Sequence, residues 1–312
     1  MSKPKTIITL LCTPEPQFLL PGVAAIAIGT AMGYCAGGTM NWIYASMALV
    51  SIVMLNAGAN MLNDYFDHLS GNDWLNFNPT KFGGGSRYIQ DGIVTPETMR
   101  TAGLAATICG ISVGLVIVIL TQSIFILMLG IAGVIGGFFW TAPPVKLCYR
   151  FPGEPHIFMM FGILPTFGAY YLQTGRLSLT PLIAAVTIGI HIAIVALINS
   201  IPDREADAAV DKKTFIVRFG LSSGLSLYRM CISTAYVLSL LTVFMANGSA
   251  KAAAAGHLFT LPAAMICLYW ADEKRLSKPG VWLPNAFCII LYCLAGIAMT
   301  TAVLICCSHN DH

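Results

Sequence analysis

The sequence predicts an all-α integral membrane protein of nine transmembrane helices, N-terminus cytoplasmic and C-terminus on the opposite side. Three observations predict it. Of 312 residues, 56% are hydrophobic and only 10% charged, and the mean hydropathy is +0.75. A soluble domain carries roughly 25% charged residues, so this chain has too few charges to cover a water-exposed surface. Nine stretches are apolar enough and long enough to cross a bilayer core, which takes about 20 residues of helix. The basic residues between them alternate in density, as they do when cytoplasmic loops retain Lys and Arg.

The nine segments are 17–36, 42–62, 101–120, 123–141, 156–173, 180–200, 224–246, 253–271 and 283–306. Ahead of the first, Ile7 to Cys12 is too short an apolar run for a cleaved leader, and Pro14-Glu15-Pro16 ends it. Small residues recur inside the segments: Gly29, Gly33, Gly110, Gly114, Gly130, Gly133, Gly136 and Gly137. They allow close helix packing where lipid supplies no hydrophobic drive for association. Pro165 and Pro262 fall inside segments and are expected to kink them. The ten cysteines form no Cys-x-x-Cys pair and mostly sit in apolar runs, so they read as small buried residues. Cys306, Cys307, His309 and His312 read as a tail rather than a metal site.

With the N-terminus inside, all of the 17 basic residues except Arg176 and Lys251 lie on inner segments. The chain is one domain, 1–312, with its long inner connections at 63–100 and 201–223. Long connections in compact proteins are usually functional or disordered, which places the active face on the cytoplasmic side. The net charge of +3 gives no sign of a nucleic-acid partner.

Acid is concentrated. Of 14 acidic residues, Asp64, Asp67, Asp73, Asp203, Glu205, Asp207 and Asp211 lie in two stretches, 63–73 and 199–211, each directly after an apolar run. Asn199, Asp203, Asp207 and Asp211 recur every four residues, which on a helix stacks them along one face. Asn56, Asn60 and Asp64 share one such register, and Asn63 and Asp67 the neighbouring one. Like charges at this spacing repel, so the arrangement needs a cation. Single Asp or Asn residues also suit solvated helix ends and turns; their concentration in a chain that otherwise avoids acid argues for a site.

Hard divalent ions such as Mg²⁺ take a few carboxylates and complete their shell with phosphate oxygens and water. Two acidic stretches facing each other would hold such ions on a diphosphate. Lys146, Arg150, Arg87, Lys81 and Lys212 are candidate donors to it. Phe82-Gly83-Gly84-Gly85-Ser86-Arg87 lacks the ending of a GxxxxGK[ST] phosphate loop and reads as a lid that lets Arg87 swing. His68, beside Asp67, is a candidate acid–base group; His191, inside a span, reads as a packing residue. A rival class is a cation-coupled membrane transporter, which expects acid near mid-membrane rather than at one end of the spans.

Asn63-Asp64-Tyr65-Phe66-Asp67 resembles the Asn-Asp-x-x-Asp motif of the UbiA superfamily of intramembrane prenyltransferases, and Asp203 to Asp207 its second motif, Asp-x-x-x-Asp. Asp73, after Gly71, is similar to the spacing of the 1,4-dihydroxy-2-naphthoate branch. Trp140 to Arg150, with Lys146 and Tyr149, resembles the segment between the motifs, although Trp140 stands where a tyrosine is usual. Glu15-Pro16 stands where Arg-Pro is frequent. The resemblance covers nearly the whole chain and implies a UbiA-like bundle. It implies transfer of a polyprenyl group from polyprenyl diphosphate to an aromatic acceptor, with Mg²⁺ assisting diphosphate departure. The best-matched acceptor is 1,4-dihydroxy-2-naphthoate, in menaquinone biosynthesis, in a bacterial or archaeal inner membrane. Another acceptor, such as 4-hydroxybenzoate or a lipid alcohol, is the alternative. By the same resemblance Asp67, Asp203 and Asp207, then Asp64 and Asp73, are the metal ligands. Asn63, Asn199, Arg87, Lys146, Tyr149, Arg150 and Lys212 would contact substrate.

Overall fold

Two of the long helices carry acid at their far ends. In the computed structural model, which describes residues 13, 15–80, 85–150, 153–276, 278 and 281–310, α1 spans Leu20–Gly37 and α2 Trp42–Ser70. Helix α2 has 29 residues; at 1.5 Å each it is about 43 Å long, against a hydrocarbon core of roughly 30 Å. Asn41 starts it, its side-chain oxygen accepting from Tyr44 N at 3.0 Å. Gly71 ends it at φ 81°, a left-handed turn that glycine takes without penalty. The helix therefore runs through Asn63–Ser70, which the sequence reading assigned to the inner loop. A four-residue helix, α3 (Asn72–Leu75), follows at once.

Helix α4 (Pro96–Thr121) packs along α2, and α5 is Ile124–Phe138. The next segment has three parts: α6 (Gly153–Phe158), a π turn at Met159–Ile163, then α7 (Leu164–Thr174). Pro165 cannot donate to the turn before it, and the wider π turn absorbs the fault. Helix α8 (Leu182–Ala209) and α9 (Phe215–Met245) are long. Helices α10 (Gly248–Leu258) and α11 (Leu261–Trp270) bend by 48° just before Pro262. A short α12 (Glu273–Leu276) precedes the final helix, α13 (Leu283–Asn310).

All nine expected segments are helical. Six helices are individually long and apolar enough to cross, and the bent pair α10–α11 would make a seventh. Helix α5, at 15 residues, and α6 and α7 taken singly fall short of that length, although with the π turn between them α6–α7 runs unbroken from Gly153 to Thr174. The inner segment 201–223 is largely helical too, being the end of α8 and the start of α9.

The core lies where α1, α8, α9 and α13 meet, around Ile28, Met32, Ile188, Tyr228 and Tyr292. Large apolar residues such as Ile119, Ile124, Met128 and Phe244 are exposed on the outside, as a lipid-facing surface requires. The glycines divide into two sets. A Cβ on Gly162 would stand 2.3 Å from the Cα of Gly189, so the π turn crosses α8 backbone to backbone. Gly130 and Gly133 have nothing within 4 Å and face open space instead.

Pro202 interrupts α8 and leaves the Ile198 carbonyl without its backbone donor. Asn285 of α13 covers that carbonyl, with Nδ2 at 3.4 Å, and donates to Asn199 Oδ1 at 2.7 Å. Asn285 is itself buried.

Candidate functional site

Both acidic motifs ride the carboxyl ends of long helices, α2 and α8. There the helix dipole presents negative charge, the wrong sign for carboxylates. Lys212, just past the end of α8, offsets part of this. Its Nζ lies 3.3 Å from Asp67 Oδ2 and 3.4 Å from Asp207 Oδ1, with the side chain only 15% exposed. One ammonium thus ties the first motif to the second. Burial disfavours its charge, but Asp67 and Asp207 outweigh that and hold it well above the usual lysine value.

Further polar contacts fix each carboxylate. Asn63 Nδ2 donates to Asp67 Oδ2 at 3.0 Å, and the Tyr149 hydroxyl to Asp67 Oδ1 at 3.2 Å. Asn72 donates to Asp207 at 2.9 Å and Asn76 to Asp203 at 2.8 Å. Gln90 donates to Asp73 at 3.0 Å, and Ser86 donates to Asp64 through its hydroxyl. Gly85, at φ 68°, lies so near that a Cβ would meet Asp64 Oδ1 at 3.0 Å and Asp73 Oδ2 at 3.3 Å. Burial pushes the Tyr149 phenol up, and the Asp67 charge adds to it, so Tyr149 remains a donor at neutral pH.

Asn63, Asp64, Asn199, Asp203, Asp207 and Lys212 line one cavity of about 260 Å³. Through Asn56, Asn60, Trp140, Ile157 and Phe161 it borders a second, of about 110 Å³. That in turn shares Ile52, Leu55, Gly133, Val134 and Met160 with an apolar cavity of about 350 Å³. Trp140 sits at the first junction, its ring stacked on His156 at 5.4 Å.

Several sequence expectations shift. The four-rung ladder has three rungs: α8 ends at Ala209, and Asp211 turns away at φ 57°, exposed and paired with Lys213 at 3.3 Å. Lys146 does not reach the carboxylates; its Nζ lies 4.9 Å over the Tyr149 ring. Arg87 is anchored rather than swinging, donating to the Asp73 carbonyl at 3.1 Å. Arg150 lines the cavity, but its Nε is taken by the Val145 carbonyl at 2.7 Å. His68 accepts from Trp74 Nε1 at 3.1 Å. Like Asp67, Asp73 and Tyr149 it is not among the cavity's lining residues, but unlike them it has no hydrogen bond to the acidic cluster among the described residues. His191 is a packing residue, its Nε2 2.8 Å from that of His257. Lys81 and Phe82–Gly84 lie outside the described residues. The sequence reading missed Ser70, Asn72, Asn76, Ser86 and Gln90. Their only signal was proximity to the first motif in the chain.

The donor set suits a hard divalent cation: carboxylate oxygens from two motifs already converge on one positive group. Among the described residues no three acidic, His or Cys side chains are gathered closely enough to hold a metal unaided. An ion there would complete its shell with diphosphate and water oxygens, as Mg²⁺ commonly does.

The site's surplus of acid has a measurable consequence. Burial, then the charges of Asp67 and Asp64, push Asp73 from its ordinary value of 3.8 up to about 8. The folded protein therefore holds a proton that the unfolded chain has released, and stability falls as pH rises between those values. Thermal unfolding in chelator should show this decline from about pH 4 to pH 8, and Asp73→Asn should make it shallower, the raised Glu15 supplying part of the rest. An unchanged slope in Asp73→Asn would assign the effect elsewhere.

Comparison with known proteins agrees with this architecture. A UbiA homologue from Archaeoglobus fulgidus, solved bound to GPP and Mg²⁺, superposes with a TM-score of 0.63 at 17% identity, covering 92% of this chain and 98% of that one. A UbiA homologue from Aeropyrum pernix K1 gives 0.64 at 14% identity, covering 91% and 97%. In sequence, the 1,4-dihydroxy-2-naphthoate octaprenyltransferase of Mycobacterium tuberculosis is 28% identical over 231 residues, 72% of this chain and 74% of the relative. The enzyme of the same name from Escherichia coli is 28% identical over 66% and 67%. The model of the UbiA prenyltransferase family matches residues 23–290. That span runs through both acidic motifs and past Asn285, so the chain belongs to the UbiA prenyltransferase family and is a membrane-bound transferase.

Proposed function

We propose that the protein transfers a polyprenyl group from polyprenyl diphosphate to 1,4-dihydroxy-2-naphthoate, with its acidic face toward the cytoplasm of a bacterial or archaeal cell. Nine crossings with a cytoplasmic N-terminus belong to the same reading. The observation that carries it is the Lys212 bridge: Asp67 and Asp207, 140 positions apart in the sequence, meet one cation beside a cavity that leads into apolar space. A diphosphate head group needs the first feature and a prenyl tail the second. Family membership sets the transporter reading aside.

Asp67, Asp203 and Asp207, with Asp64 and Asp73, would hold the divalent ions, which neutralise charge on the departing diphosphate. Lys212 adds a positive charge between the motifs. Asn63, Asn72 and Asn76 hold the carboxylates in fixed orientations, so little reorganisation accompanies bond cleavage. Tyr149 donates to Asp67 and shields it from water. Arg150, on the cavity wall, is placed to meet diphosphate oxygens, and Asn199, locked by Asn285, presents its amide to the same space. Arg87 fixes the backbone at Asp73, and Lys146 stays over the Tyr149 ring. Heterolysis of the C1–O bond releases diphosphate and leaves an allylic cation within the apolar walls near Trp140. The acceptor ring attacks it, and the attacked ring carbon then sheds its carboxylate as CO₂ (a proton, for an acceptor unsubstituted there).

The test is transfer by purified protein in liposomes, offering labelled geranyl and octaprenyl diphosphates with a panel of aromatic acceptors, with Mg²⁺ or with chelator. A prenylated naphthalene product that requires Mg²⁺ is expected. Product from 4-hydroxybenzoate alone would replace the acceptor, and product in chelator would remove the metal. The tail path has its own check. Gly130→Leu fills part of the apolar cavity that Gly130 lines, with nothing within 4 Å of a Cβ at that position, so a long tail must crowd against it at about 1–3 kcal/mol. Octaprenyl transfer should fall about ten- to hundredfold while geranyl transfer is retained; equal losses would move the tail elsewhere.

A further inference from the structure

Glu15 and Glu154 are cavity carboxylates to which this chemistry assigns nothing. Glu15 stands ahead of α1, in the left-handed region at φ 53°, an uncommon backbone conformation for a residue with a side chain. The 3₁₀ turn Pro16–Phe18 follows, with Phe18 N bonded to the Glu15 carbonyl at 2.8 Å. Asn56 of α2 holds the Phe18 carbonyl at 2.7 Å, so the turn is anchored from outside. Glu15, Phe18 and Pro21 line the 260 Å³ cavity together with Asp64 and Asp203.

Its bonding sets it apart. Asp64, Asp203 and Asp207 each accept from a side chain on another element, and Glu154 accepts from the Phe215 N–H at 3.3 Å. Glu15 accepts a long 3.4 Å bond from Gln17, within its own turn. Among the described residues no basic side chain pairs with it. Its charged neighbours are acidic: Asp64, Asp73 and Asp203. A half-buried carboxylate facing the reaction space, with no basic partner among the described residues, suits a hydroxyl donor and disfavours the carboxylate end of an aromatic acid. A ring hydroxyl on an aromatic acceptor is such a donor, and a charge-assisted bond to it is stronger than a neutral one.

We propose that Glu15 binds the prenyl acceptor, its carboxylate taking a hydrogen bond from a ring hydroxyl and so setting the ring against the allylic carbon. This rests on the prenyl-transfer reading above. Burial, with Asp73 and Asp203 behind it, lifts Glu15 to about 7, which keeps a substantial carboxylate fraction at neutral pH.

The test pairs an enzyme change with a substrate change. KM is measured for 1,4-dihydroxy-2-naphthoate and for its two mono-methyl ethers, using wild type, Glu15→Gln and Glu15→Asp. In wild type, methylating one of the hydroxyls should raise KM about 10- to 100-fold, as loss of a bond to a charged group does. Glu15→Gln should raise KM for the free diol by a similar factor and bring the ether-to-diol ratio toward one. Mg²⁺-dependent binding of a polyprenyl thiolodiphosphate should be unchanged, which also reports that the variant folds. An unchanged ratio in Glu15→Gln overturns the proposal. Loss of thiolodiphosphate binding in both variants overturns it too, placing Glu15 on the metal or in the scaffold. Absence of any aromatic product from wild type would instead remove the functional reading on which the proposal rests.

Discussion

Replacing Asp67 and Asp203 together with alanine is expected to abolish prenyl transfer. The two carboxylates come from different helices, and each has its own bracing: Asn63, Tyr149 and Lys212 on Asp67, Asn76 on Asp203. Their removal takes oxygen ligands from both sides of the diphosphate at once. Charge stabilisation by bound metal supplies several kcal/mol to such a transition state, and each 1.36 kcal/mol is about tenfold in rate. A fall of at least about 10³-fold in turnover follows. Asp211→Ala is the control: it deletes the same charge from an exposed position on the same stretch and should leave the rate unchanged. Abundant product from the double variant, measured as labelled lipid, would contradict the metal roles.

The second large effect is at Lys212. Substituting methionine keeps the bulk and deletes the ammonium, so Asp67 and Asp207 face one another with their shared cation gone. Removing one partner from a buried ionic contact costs about 3–5 kcal/mol. In chelator, Lys212→Met should unfold at a visibly lower temperature than wild type, and added Mg²⁺ should recover part of the loss. Prenyl transfer should fall about 100-fold or more, since the carboxylates lose their fixed spacing. Lys213→Met removes a neighbouring ammonium whose pairing with Asp211 is exposed. Pairs of that kind contribute little, so its melting temperature should match wild type. Equal behaviour of the two lysine variants would take Lys212 out of the site.

Much of this was readable in the chain. Low charge and nine apolar runs implied the helical membrane bundle. The clustering of acid marked where the site would form, and Tyr149 and Lys212 were both among its candidates. Ranking failed where long-range geometry decides. Lys146 and Lys212 look alike as sequence, but only Lys212 leaves the end of a helix in line with both motifs. Asp211 obeys the four-residue spacing and still misses the site, because α8 stops two residues earlier. Asn72, Asn76, Ser86 and Gln90 are ordinary polar loop residues until the loop folds back over the carboxylates. Glu15 was visible only as a departure from a common pattern; its place in the cavity wall depends on a turn that local sequence does not specify. Crossing number is the least legible feature, since composition alone cannot show the π turn in the α6–α7 segment.

The break at Pro202 has a consequence for how variation in this protein is interpreted. The last helix contributes no acid, base or metal-binding group to the reaction space, yet Asn285 both mends the backbone fault in α8 and steers the Asn199 amide. Natural changes at position 285 would therefore mimic damage to the second acidic motif. A genetic survey that sorted positions by their own chemistry would file this asparagine as inert, and would misattribute the lost activity to ligands that are still present.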